Sequence, residues 1–173
     1  MTELPDRAAR AFEAHDAFAR VDDEWYELTT TRFETRITAE ETDDWPLIYT
    51  LEIRAPMLSE ATEDDVGDAV ETGWFETYDR RLEDAPMAVR SDVDVTEYRV
   101  FEEGGDAVAV FSFEEANADR APEIAKAIGE FAEGTYVQGI VPGYVYQPPV
   151  SDLLSRARQT GGEGEGDRGP MPL

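Results

Sequence analysis

The sequence predicts an α+β domain: an antiparallel sheet of about five strands with helices packed on it. Three observations predict it. Short runs alternate apolar and polar residues, most clearly Leu47, Tyr49, Leu51 and Ile53. Longer runs place apolar residues three or four apart, as in Val66, Val70, Trp74, Tyr78 and Leu82. The two kinds follow one another in the order α-β-β-β-α-β-β-α, with a short helix after them.

The first helix is predicted over about residues 5 to 20. Pro5 and Asp6 suit its first turn, and Ala8, Phe12, His15 and Phe18 or Ala19 give it one apolar face. Trp25–Leu28 and Phe33–Ile37 then read as strands, joined at Thr29–Arg32 by a turn or by a bulge in one long strand. The strand over 47–53 ends at Ala55-Pro56. Thr62, followed by Glu63, Asp64 and Asp65, predicts a capped helix start, and Pro86 stops that helix after about Glu83. Gly73 inside it is expected to let a neighbouring element come close.

Val93, Val95, Tyr98 and Val100 predict a fourth strand whose inward face switches near Thr96, the mark of a bulge. Gly104-Gly105 turns the chain into a hairpin partner, Ala107 to Phe113, apolar on both sides and so buried on both faces. Asn117 or Asp119 caps the third long helix, with Pro122 in its first turn and Ile124, Ile128, Phe131 and Thr135 facing inward. Gly134 or Gly139 ends it, with Gly139 preferred because Ile140 follows. Val141-Pro142-Gly143-Tyr144 fits a type II turn, in which Pro142 sets φ and Gly143 takes a positive φ. Pro148-Pro149 is expected in polyproline geometry before a short helix from Val150 to Gln159. Residues 1–159 thus form a single domain, and 160–173 read as a disordered tail.

Composition sets outer bounds on function. The 173 residues carry 40 acidic and 15 basic groups, a formal net charge of -25, with Lys126 the only lysine. Such a surface stays hydrated at molar salt, where the Debye length is about 3 Å, so the acids are read as adaptation to a halophile's cytoplasm. Scattered arginines argue against nucleic acid as a partner. The chain has no Cys, which excludes thiol nucleophiles, disulfides and Cys metal sites. No apolar run approaches a membrane span, and the N-terminus lacks a signal-peptide core, so a soluble cytoplasmic protein is expected.

Candidate chemistry is sparse. His15 is the sole imidazole and is placed at the edge of the core, not in a triad. The carboxylate pairs Asp64/Asp65, Asp92 with Asp94, and Glu102/Glu103 are no more numerous than chance gives in so acidic a chain. Adjacent strand residues also point to opposite faces, so no metal site and no cofactor are expected. The glycines between 134 and 139 lack the Lys-Ser/Thr of a phosphate loop.

The stretch EFAEGTYVQGIVPGYVYQPP, residues 130 to 149, is nearly uncharged after Glu133. Tyr136, Tyr144 and Tyr146, with Glu133 and the solvent-facing Trp45, are the candidate ligand- or partner-binding residues. Gly139, Pro142 and Gly143 are its structural turn residues. No catalytic residue is assigned.

GWFETYDRRLEDAP at 73 to 86 and EGTYVQGIVPGYVY at 133 to 146 resemble an uncharacterised family of small haloarchaeal proteins, a domain of unknown function. The resemblance covers about residues 6 to 158 and implies the host type but no activity. The element order is also similar to the type III secretion chaperone-like fold, from which this chain departs by its segment after the third helix. That likeness implies a non-enzymatic, protein-binding role and a homodimer. With no Cys, one poorly placed His, no cofactor motif and an uncharged aromatic segment suited to burial against a partner, the leading expectation is a non-catalytic cytoplasmic binding or adaptor protein. The alternative is a small-molecule binder, or an enzyme of unknown reaction, with a Tyr-lined pocket near residues 133–146.

Overall fold

A computed structural model describes residues 3–167, with side chains up to residue 159. The fold is α+β. Its sheet has six strands, all antiparallel, in the order β1-β2-β3-β4-β6-β5. They are β1 (Phe18–Arg20), β2 (Tyr26–Leu28), β3 (Glu34–Glu41), β4 (Leu47–Pro56), β5 (Asp94–Glu103) and β6 (Asp106–Glu115). The helices are α1 (Asp6–Glu13), a single turn α2 (Leu58–Ala61), α3 (Asp68–Leu82), α4 (Ala121–Gln138) and α5 (Val150–Asp167).

The sixth strand comes from the end of the expected first helix. That helix stops at Glu13, and Phe18 and Ala19 lie in β1 instead. Phe12 and Phe18 still meet, edge to face at 4.9 Å, because the turn between them folds the chain back. The Ala17 N–H donates to His15 Nδ1 and holds that turn. Asp22 Oδ1 accepts the N–H groups of Glu24 and Trp25 and makes the next turn, into β2.

The central strands follow their sequence pattern. β4 alternates buried and half-buried residues along its whole length. Leu47, Tyr49, Leu51, Ile53 and Ala55 point into the same core as Ala107, Ala109, Phe111 and Phe113 of β6. On the other face Val108 is also buried, flanked in register by Arg54 and Phe101. The β5–β6 ladder shifts register between Val95 and Glu97, at the expected bulge.

The second long helix begins later than its capping signature suggests. Thr62 does not cap it: Gly67 does, and Thr62 forms an isolated antiparallel bridge with Tyr146. The Glu63 N–H donates to Val145 O, and the Gln147 N–H to Ala61 O, so this backbone is committed to a strand-like contact. Trp74, Tyr78 and Leu82 are buried as expected, but Val70 is exposed. A Cβ on Gly73 would meet nothing within 4 Å, so no element approaches it.

The close approach is made by Gly129 of α4. A Cβ there would stand 2.7 Å from Leu28 Cδ2 and 3.2 Å from Thr35 Cγ2. Helix α4 therefore lies directly on β2 and β3 through Gly129, flanked by buried Ala125, Ile128 and Ala132. Phe131, expected on the inner face, is only half-buried.

Gly139 follows the last residue of α4 and donates its N–H to Thr135 O at 3.0 Å. Its φ is -92°, so the end is not of the left-handed glycine type. The Pro148-Pro149 peptide is cis, which differs from polyproline geometry. Helix α5 runs to Asp167, past the expected end at Gln159; no proline lies between Val150 and Pro170 to stop it. Residues 168–173 of the expected tail lie outside the described residues.

Candidate functional site

The segment 130–149 begins inside the core. Tyr136 has no exposed surface. Its hydroxyl donates to Pro56 O at 2.8 Å, and its ring meets Phe33, Trp74 and Tyr78 edge to face at 4.7, 5.3 and 5.7 Å. Burial pushes its pKa well above the ordinary tyrosine value. The side chain is thus a protonated strut between α4 and the end of β4, with no surface left for a ligand.

Glu133, one turn before Tyr136 on the same helix, reaches the β2–β3 turn. Its Oε2 accepts the N–H of Arg32 at 2.6 Å and of Phe33 at 3.4 Å. Burial raises its pKa, and those two N–H groups pull it back. The carboxylate is occupied in closing a turn.

Tyr144 and Tyr146 lie on the extended stretch that pairs with residues 61–63. Their rings are 6.4 Å apart, edge to face. The Tyr146 hydroxyl donates back to Val141 O, and Asp64 Oδ2 accepts the Val145 N–H at 2.7 Å. Gly143 has φ +99°, which suits the turn that Pro142 opens. Trp45 is far along the chain and 68% exposed. Its Nε1 donates to Ala116 O at 3.1 Å, and the Arg7 guanidinium lies 3.8 Å over its ring. The structure places Tyr144 beside Tyr146. It sets Tyr136 in the core, Glu133 on the β2–β3 turn and Trp45 against Arg7 and Ala116.

His15 sits in the turn after α1 and reaches the other side of α4. Its Nδ1 accepts the Ala17 N–H, so Nε2 carries the proton that it donates to Glu123 Oε1 at 2.6 Å. That bond holds the Glu123 carboxyl below its ordinary pKa.

Glu123 borders a depression of the surface. It is an open groove of about 780 Å³ between residues 88–91 and the outward side of α4. Val89, Ile124, Ala127 and Phe131 line it with apolar surface. Around them stand Arg90, Arg120 and Lys126, with Asp119, Glu123 and Glu130. Arg120 ties the two banks together: it pairs with Glu115 at 2.8 Å and donates to Ser91 Oγ and, at 3.3 Å, to Asp92 O. Lys126 pairs with Glu130, one turn along α4, at 3.1 Å. Arg90 makes no ion pair with a described residue.

Sequence reasoning did not find this groove. The only local signal is Ala127 on the outward side of α4, where a helix facing water carries polar residues; Phe131 reads as an inward residue. The other bank arrives from residues 88–91, whose irregular sequence predicts no position.

Among the described residues, no group of three or more His, Asp or Glu side chains could hold a metal ion, and no helix is long and apolar enough to cross a membrane. A family model described as a family of unknown function (DUF5813) matches residues 13–156. No curated protein and no solved structure matches the chain.

Proposed function

The chain belongs to the DUF5813 family of unknown function, and we propose for it a non-catalytic role as a binding or adaptor protein that docks a protein segment in the α4 groove. One observation carries the reading: an open apolar floor on a surface otherwise dense with carboxylates. A small molecule is normally enclosed over most of its surface, whereas an open groove suits a chain segment. The tyrosines support the same reading from the other side. Tyr136 and Tyr146 both spend their hydroxyls on backbone carbonyls.

The host in this proposal is a halophile, and the compartment is its cytoplasm. Forty acidic residues against a single lysine suit molar salt. The resemblance to small haloarchaeal proteins points the same way. The element order expected from the sequence resembles that of type III secretion chaperones and adds a homodimer to the proposal; the observed order carries one more strand, β1.

The test is cross-linked capture from a halophile lysate, with the parent chain and with Ala127→Trp, which fills the groove. Proteins held by the parent and lost by the variant support docking there. The same set on both, with the variant still folded, refutes it.

A further inference from the structure

We propose that the occupant of the α4 groove is a second copy of this chain, so that the groove and Met87 together form the face of a twofold dimer. This rests on the reading of the groove as a protein-docking surface.

Charge is the first argument. At molar salt, repulsion between two chains of net charge -25 is screened beyond about 3 Å, so only charges that meet at the contact count. In the groove three cations, Arg90, Arg120 and Lys126, balance three carboxylates, Asp119, Glu123 and Glu130. A strongly charged foreign segment would find no net charge there to answer its own. A second neutral patch meets no such mismatch, and the identical patch is neutral by construction.

Shape is the second. Met87 is 83% exposed, the most exposed of the large hydrophobic side chains described. It directly precedes Ala88, a lining residue of the groove, in the chain. A surface with an apolar knob beside an apolar hollow is complementary to its own twofold copy, each knob entering the other hollow. An unbranched thioether adapts well to such a hollow.

The third is the Lys126–Glu130 pair. Two α4 helices apposed antiparallel across a twofold axis, with the axis between these positions, bring each Lys126 to the partner's Glu130. Two pairs within chains are exchanged for two between chains, with no charge left over.

Sedimentation velocity of the full chain, from micromolar to near-millimolar concentration, tests the proposal. The parent is expected to self-associate, and Met87→Glu to weaken the dimer by about tenfold or more. Lys126→Glu should also weaken it, and adding Glu130→Lys should restore it, because the reversed pair can still be exchanged. Met87 is a surface residue, so its variant should fold, and an unchanged melting curve checks this. A parent that stays monomeric overturns the inference, as does a dimer indifferent to Met87→Glu. If that monomer still captures proteins that Ala127→Trp loses, the docking reading survives and only the second copy is wrong.

Discussion

Tyr136 on α4 donates its hydroxyl to the carbonyl of Pro56, the last residue of β4, eighty positions earlier. The bond lies inside the aromatic cluster of Phe33, Trp74 and Tyr78. Tyr136→Phe keeps the ring and leaves the Pro56 carbonyl unanswered. The expected loss is about 1–3 kcal/mol, the cost of a buried acceptor without a partner. Denaturant unfolding at fixed salt measures it, and a midpoint equal to the parent's would show that the hydroxyl carries no structural load.

Glu133 gives a prediction with a sign in pH. Its folded-state pKa is raised, mainly by burial, so the folded chain holds this proton more tightly than the unfolded chain does. The group therefore favours folding most when protonated. That advantage is lost as pH rises from the ordinary glutamate range through the raised value. Glu133→Gln keeps an acceptor for the Arg32 and Phe33 N–H groups without the charge. Relative to this variant, the parent should gain stability as pH falls through that window. Parallel melts across the window read the difference, and a trend of opposite sign would refute the assignment. Glu133→Ala removes the acceptor and should cost about 1–3 kcal/mol at neutral pH.

Two helical glycines separate packing from propensity. Gly129→Ala inserts a methyl 2.7 Å from Leu28 Cδ2, and Leu28 is itself buried. Overpacking costs about 1–3 kcal/mol, which outweighs the gain of about 1 kcal/mol from helix propensity. Gly73→Ala meets open space and should stabilise the chain by about 0.5–1 kcal/mol. Opposite shifts in unfolding midpoint are expected. If Gly129→Ala stabilises as well, α4 sits farther from the sheet than described.

The same two glycines show where the sequence was legible. Period-two patterns marked β4 and β6, because alternation is local and both strands keep one face on the core. The Thr96 bulge was legible too, as a switch in that alternation. Which glycine touches a neighbour is not local: Gly73 and Gly129 look alike until α4 meets Leu28 and Thr35. Thr62 carries a sound capping signature, yet its backbone pairs with Tyr146, 84 residues away. Phe18 continues the helical spacing of Phe12 and His15, so a three-residue strand there left no trace in the pattern. Among the candidate site residues, the exposure of Trp45 followed from its polar loop. The burial of Tyr136 did not, since a tyrosine among apolar residues suits a core and a pocket equally well.

Gly143 tests the corner at which the uncharged segment turns. Its φ of +99° lies where L-residues are strained, and a Cβ there would meet nothing within 4 Å. Any effect of Gly143→Ala must therefore come from the backbone and not from a clash. A loss of more than about 1 kcal/mol is expected. The turn feeds the stretch that pairs with residues 61–63 through Val145 and Gln147. Release of the corner should thus appear first as faster amide exchange at Glu63 and Gln147, before global unfolding. A variant that melts with the parent and keeps both amides protected would mean that the chain can turn here without a positive φ.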